Sequence, residues 1–424
     1  MRQTLAILID GYRELNHKRL FWITMALSGL FVLTFAAVGI NERGITFLWF
    51  EFPVGGPIAF FKTELLSEEM FYKIVFVNLG LGIWLSWIAT ILALVSTASI
   101  IPDFVASGSV ELGLSKPIGR TRLLLTKYGA GLLFAGLQVL VFTVACFFVI
   151  GLRAGSWEPG LFLAVPLVLL FFSYLYSISA LVGLITRSSI TTLLVTLLCW
   201  FFFFMLNTAD VVTLGIREEA QARLDRTKQG IERREREATE NLRRRKLDEQ
   251  KDAAPGTAPP IPESFSAEEL AQVDPFLASS REELKSEQST VSGADRWQRY
   301  FMIAKTFTPK TSETIKLTER WIMSAAELKS LEDISNEQAA KAQERRRARR
   351  AEMRAEAKKE TPAAAPAPGA VPAPDDDDEA PVAVDNQVEK ILHGRSVWWV
   401  LGTSVVFESV ILGIACVIFV RRDF

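Results

Sequence analysis

Residues 160–209 read GLFLAVPLVLLFFSYLYSISALVGLITRSSITTLLVTLLCWFFFFMLNTA. Within them, 160–185 and 189–209 hold no Asp, Glu, Lys or Arg, and only the joint at Arg187-Ser188-Ser189 separates the two runs. A helix needs about 20 consecutive apolar residues to cross the hydrocarbon of a bilayer, so the stretch predicts two spanning helices joined by a very short turn. Working outward, the same test finds 20–40, 74–101 and 128–150, again without charge, and 397–420 with one charge, Glu408. Soluble helices rarely run this long without charge. The sequence therefore predicts an all-α integral membrane protein with six transmembrane helices. The run at 20–40 is too long for a cleavable signal, and its leader carries Asp10 and Glu14.

Composition agrees. A chain of 424 residues would ordinarily suggest two or three soluble domains. Here 50% hydrophobic and 22% charged residues coexist with a mean hydropathy of +0.23, so very apolar runs are spliced to very charged ones. A formal net charge of -1 argues against a uniformly basic nucleic-acid binder. Cys146, Cys199 and Cys416 all sit in apolar runs with no CxxC, which argues against disulfide scaffolds and zinc clusters. His17 and His393 stand too far apart for a metal pair, and a His-based catalytic triad is not expected. Gly108–Gly113 begins like a phosphate-binding loop, but Leu114 stands where its lysine must be. The expectation is a protein without enzymatic activity, cofactor or metal of its own.

Loop charge gives an orientation. Residues 1–19 carry Arg2, Arg13, Lys18 and Arg19, and 102–127 carries Lys116, Arg120, Arg122 and Lys127, whereas acids dominate 41–73. Positive loops stay cytoplasmic. Both termini and 102–127 are then expected inside, and 41–73 outside. Span parity puts 210–396 outside as well, despite Arg243-Arg244-Arg245-Lys246 and Arg345-Arg346-Arg347, because long loops translocate largely regardless of charge.

The 210–396 insert reads as a large, charged, partly disordered helical region. Leu224, Ile231 and Ala238 recur seven apart within 216–251, a thin seam suited to a solvated helix or coiled-coil arm. Linkers are expected at 252–263 and at 361–384, where Pro/Ala-rich sequence with Asp375-Asp376-Asp377-Asp378-Glu379 should be disordered. Between them, 264–335 holds Phe265, Phe276, Trp297, Tyr300, Phe301, Phe307 and Trp321, enough for a small helical core or a membrane-facing patch. A second charged helix is expected at 336–360.

The 101–128 segment carries the functional signal. Pro102 ends the second span, Lys116-Pro117 stops a short surface helix, and Arg120, Arg122 and Lys127 can sit at headgroup level. On these residues alone it is a basic interfacial loop. Its run GSVELGLSKPIGRTRLLLTK, 108–127, closely resembles the cytoplasmic loop of type-2 ABC exporter permeases, the six-span membrane subunits of ABC transporters. Residues 3–22 look like that family's N-terminal interfacial helix and FVRRDF like its C-terminus. TFTPKTSETIKL, 306–317, resembles its extracytoplasmic segment before the last span. The resemblance covers about 1–210, 300–317 and 395–424; the long insert departs from it.

The resemblance implies an ATP-binding cassette subunit docked beneath 102–127, a second permease copy or paralogue, and a place in the plasma (inner) membrane. Glu111, Lys116, Pro117, Arg120 and Lys127 are the expected coupling residues, with lipid anchoring the alternative for Lys116 and Arg120. Glu408 is costly at mid-span and should face protein or a cavity. Asn78 and Gln138 are its candidate partners, as an intramembrane polar site or as packing. Ser173, Ser177, Ala180 and Gly183 share one face of the fourth span, where small residues let helices approach. The competing reading is a multi-span scaffold whose extracytoplasmic coiled-coil insert binds a partner protein.

Overall fold

The computed structural model describes residues 19–41, 44–48, 50–53, 68–106, 119–252, 264–323 and 390–422, and the isolated positions 13, 262, 344, 345, 348, 349, 352, 387 and 388. The chain divides into two compact units, one of 1–207, 304–338 and 395–424 and the other of 208–303 and 339–394.

The first unit is a helical bundle. Its elements are α1 (Arg19–Ala37), then α2, which runs Glu68–Val75 as α-helix, Phe76–Ala89 as π-helix and Thr90–Thr97 as α-helix again, and α3 (Ile100–Ala106). After these come α4 (Arg120–Arg153), α5 (Ala164–Thr186), α6 (Ser189–Asp252), which leads into the second unit, and, after that unit, α9 (Thr311–Ile322) and α10 (Val397–Arg421). Five helical segments are long and apolar enough to cross a membrane: Glu69–Val105, Arg120–Arg153, Pro159–Thr186, Ser189–Asp248 and Val397–Arg421. This is a helical multi-pass membrane protein. The apolar part of α1, Phe21–Ala37, is shorter. At 1.5 Å per residue α1 is about 28 Å long, just short of the roughly 30 Å of hydrocarbon.

Two core clusters stack along the bundle. Phe21, Phe104, Leu124, Tyr176, Leu184 and Phe419 meet at the end that carries the 102–127 loop. Phe35, Tyr72, Phe76, Ile150, Leu161 and Ile322 meet at the opposite end. The start of α1 and the finish of α10 thus share the loop end. Helix α5 is the central element: every residue from Phe171 to Ala180 is buried, and α3, α4, α9 and α10 all pack on it. Its small face makes this possible. A Cβ on Gly183 would sit 2.9 Å from Cδ of Pro102, so the α3 proline ring rests directly on the α5 backbone. The turn between α5 and α6 is as short as the sequence predicts, with Arg187 left-handed at φ 53° and its N–H bonded to the Gly183 carbonyl.

Three features depart from the expected architecture. The first predicted span stops at Ala37 rather than 40, because Val38–Asn41 starts a three-stranded antiparallel meander with Gly44–Phe47 and Phe50–Pro53. It is fastened by the Tyr72 hydroxyl, which donates to the Val38 carbonyl (2.8 Å) and accepts from Arg153 Nε (3.0 Å). A Cβ at Gly39 would meet the Arg153 guanidinium and the Thr46 hydroxyl, so a side chain there would displace the arginine that holds Tyr72. Next, the predicted border at 209/210 is no structural border, since α6 continues through it to Asp252. Finally, 304–323 belongs to the bundle rather than to the insert.

The second unit is built on the 208–252 part of α6 and on α7 (Ala267–Val273) and α8 (Phe276–Thr306, of which 276–303 lies here). Helices α6 and α8 run antiparallel, held by Arg217–Asp295 (2.5 Å) and Arg281–Glu235 (2.5 Å). The predicted seam is buried: Leu224 packs with Val291, while Ile231 and Ala238 pack with Leu270 and Leu277. Helix α7 starts in a capping box, Ser266 with Glu269, whose carboxyl is held below its ordinary range first by the Ser266 backbone N–H. Most of the predicted linker 252–263, all of 361–384 and most of the 336–360 helix lie outside the described residues.

Candidate functional site

At the loop end, Arg120 begins α4. Its Nη1 donates to the carbonyls of Val420 (3.1 Å) and Arg422 (3.0 Å), the last turn of α10, whose orphan carbonyls need such donors. Arg422 in turn donates from Nη1 to the Leu184 carbonyl (2.6 Å), near the end of α5. Lys127 lies 5.7 Å over the Phe104 ring, and Phe104 packs on Phe419 with centroids 6.2 Å apart. Both flanks of the 102–127 loop are therefore fastened to the end of the last span. Of the coupling residues read from sequence, Arg120 and Lys127 are found here; Glu111, Lys116 and Pro117 lie outside the described residues, as does most of the N-terminal segment 1–19.

At mid-span, Glu408 accepts from the Tyr128 hydroxyl on one oxygen (2.9 Å) and from the Ser173 hydroxyl on the other (2.8 Å). Three helices, α4, α5 and α10, meet there. Tyr128 stacks on Tyr176 at 5.0 Å, and Tyr176 lies so close to α4 that a Cβ on Gly131 would collide with its ring. The structure brings neither Asn78 nor Gln138 to Glu408. Asn78 donates to the Ile74 carbonyl (3.1 Å) and faces a separate cavity. Gln138 is buried beside Thr24, Ser28 and Thr90, and its amide nitrogen has no hydrogen-bond partner among the described residues.

That separate cavity has a volume of about 240 Å³. Asn78, Ser86 and Trp87 of α2, Trp200 and Phe204 of α6, and Lys316 of α9 line it. The π-helical stretch shapes its wall. Ser86 and Thr90 hydroxyls donate five residues back, to Leu81 (2.5 Å) and Leu85 (2.7 Å), as the wider turn requires. Trp87 stacks on Trp200 at 5.0 Å, joining α2 to α6. Phe201 and Phe202 point outward, 59% exposed each, while Trp200 and Phe203 are buried.

Behind the cavity lies a buried charge cluster that the sequence did not reveal. Glu313 of α9 pairs with Lys305 and with Arg395 (2.8 Å), and Lys305 also donates to the Asn207 side chain (2.6 Å). Lys310, outside the spanning helices, donates to Thr403 Oγ1 (2.5 Å) and to the Thr306 carbonyl (2.9 Å), and sits 4.8 Å over Trp399. Burial pushes its ammonium down to about 8, against the pull of Glu313 and with the added repulsion of Lys305. Together these contacts fasten the 304–323 segment to the start of α10.

Tyr128, Arg422, Lys305, Glu313, Lys310 and Arg395 were not singled out as site residues from sequence. The cost of a mid-span carboxylate calls for donors, but the sequence marks Ser173 only as a small packing residue. For the buried pairs no local signal exists, because their members are distant in sequence. Comparison with protein-family models, with curated proteins and with solved structures gives no match.

Proposed function

We propose that this chain is the membrane-spanning permease subunit of an ABC transporter, an exporter driven by a separate ATP-binding subunit and paired with a second permease copy or paralogue. Support comes from the resemblance at 108–127 together with one geometric observation: Arg120 at the exit of that loop is hydrogen-bonded to the end of α10, which is itself bonded through Arg422 to α5. A force applied to the loop by a closing ATPase would reach three spans through fixed contacts. A surface anchor has no use for that linkage. Arg120 then acts in transmission within the subunit, while Glu111 and Lys116 remain the residues proposed to touch the ATPase. The reading sets the chain in the plasma (inner) membrane with both termini cytoplasmic and the arm outside. The cavity between α2 and α6 is below the size usual for a whole ligand pocket, as expected if a second permease completes it.

The test is purification from native membranes. An ATP-binding cassette protein should copurify, and Arg120→Ala should retain it while lowering substrate translocation per ATP hydrolysed, with Arg120→Lys partly restoring the ratio. Absence of any such ATPase would defeat the proposal. The second reading, a scaffold, is favoured by the ion-paired α6–α8 arm; a partner lost on deletion of 217–295, with no ATPase bound, would establish it instead.

A further inference from the structure

The surface of the α6–α8 arm changes character at one level on both helices. Arg217 of α6 and Asp295 of α8 form an ion pair there. Further along the arm the outward positions are charged, with pairs such as Arg223–Glu219 and Arg281–Glu235. On the other side of the pair large apolar side chains reach the surface of both helices. Val212 and Ile216 of α6 are 54% and 52% exposed, and Trp297, Tyr300 and Ile303 of α8 are 61%, 58% and 53% exposed. The last three recur every three residues, opposite the face that buries Val291 and Ala294. Arg296 and Arg299 alternate with them, both exposed and neither in an ion pair among the described residues. An aromatic face of this size in water would need a cover.

Chain continuity indicates the cover. Val212 and Ile216 follow Asn207 by only one to three turns of the same helix, and they extend a stripe of exposed apolar residues, Ile190, Leu194, Leu198, Phe202 and Met205, that belongs to the spanning part of α6. From Ser189 to Ile216 the helix rises about 40 Å at 1.5 Å per residue, which matches the roughly 40–45 Å of a bilayer with its headgroup layers. Tryptophan and tyrosine interleaved with arginine are the residue types that settle at that boundary, rings among the upper acyl chains and cations at the phosphates.

We infer that the base of the arm, where Val212 and Ile216 of α6 and Trp297, Tyr300 and Ile303 of α8 are exposed, is a lipid-binding surface seated in the headgroup layer on the insert side of the membrane. Arg217 and Asp295 mark where the chain leaves the lipid. The inference rests on the membrane fold and is independent of the transport proposal.

The test uses the full chain in lipid nanodiscs, with Cys146, Cys199 and Cys416 replaced by alanine and a single spin-labelled cysteine at 297, 300 or 303. Labels at Leu198 and Ser289 serve as spanning and arm references. Collision with oxygen should exceed collision with a water-soluble nickel chelate at Tyr300 and Ile303, as at Leu198, and the order should reverse at Ser289. In the otherwise native chain, Trp297→Phe should reduce the fraction of tryptophan fluorescence quenched by lipids brominated near the headgroup. Chelate accessibility at 297, 300 and 303 equal to that at Ser289 would overturn the inference in favour of water. Low collision with both reagents at all three sites would overturn it in favour of a covering protein.

Discussion

The Tyr128 hydroxyl lies 2.9 Å from a carboxylate oxygen of Glu408. The same hydroxyl is 3.0 Å from the Ser173 carbonyl, and the Ser173 hydroxyl lies 2.8 Å from both Glu408 and the Leu170 carbonyl. Each hydroxyl has one proton and two acceptors to choose from. The carboxylate has no such choice. Tyr128→Phe should therefore cost about 1–3 kcal/mol by taking the donor from a part-buried carboxylate oxygen, whereas Glu408→Leu should stay within about 1 kcal/mol of the parent. Unfolding in detergent would measure both, and a larger loss for Glu408→Leu would refute the asymmetry.

Glu313 is paired with both Lys305 and Arg395, and both cations are nearly sealed from solvent. Glu313→Gln should cost about 3–5 kcal/mol, the usual penalty for removing one side of a buried ion pair. Lys305→Met added to that variant should recover part of the loss. Thermal melts of the single and double variants decide the matter; no recovery would mean that the two groups are not coupled.

Lys310 gives the fold a pH dependence of defined sign. Its folded value, about 8, lies below the ordinary 10.5. Between those limits the unfolded chain holds a proton that the folded chain has lost, so stability rises with pH across the window and its penalty is fully present below it. The parent melting temperature should gain on that of Lys310→Met between pH 7 and pH 9.5. A constant difference between the two proteins would remove Lys310 as the source.

Two glycines in spanning helices should behave oppositely. Gly183 lies against the Pro102 ring, while Gly413 has open space around its Cα. Gly183→Val should cost about 1–3 kcal/mol by overpacking. Gly413→Ala should be neutral or slightly stabilising through helix propensity. Equal effects on the melting temperature would mean that the α3–α5 contact is looser than described.

The spans were legible because a bilayer forces every backbone hydrogen bond inside the segment, which makes hydropathy and helix the same signal. Leu224, Ile231 and Ala238 were legible because a seam needs only a spacing. The border at 209/210 misled because polarity changes there without a helix breaker; α6 runs on through Asn207 and Asp210. The partner of Glu408 was beyond reach for a different reason. Asn78, Gln138, Tyr128 and Ser173 all offer donors within spans, and only the rotation of each helix about its axis selects among them. The 38–53 strands are four residues each, too short for their alternation to stand out from the surrounding aromatics.

The hydrogen bond between Lys305 and Asn207 joins the residue where the chain quits the bundle to the turn where it returns. To the bundle, everything between is a loop whose ends are already together. The entropy of closing such a loop grows only with the logarithm of its length, about 0.6 kcal/mol per doubling. The bundle is therefore nearly indifferent to how much chain hangs from that neck. Long, charged and repetitive sequence can accumulate, shorten or be exchanged there while the bundle keeps the same closure.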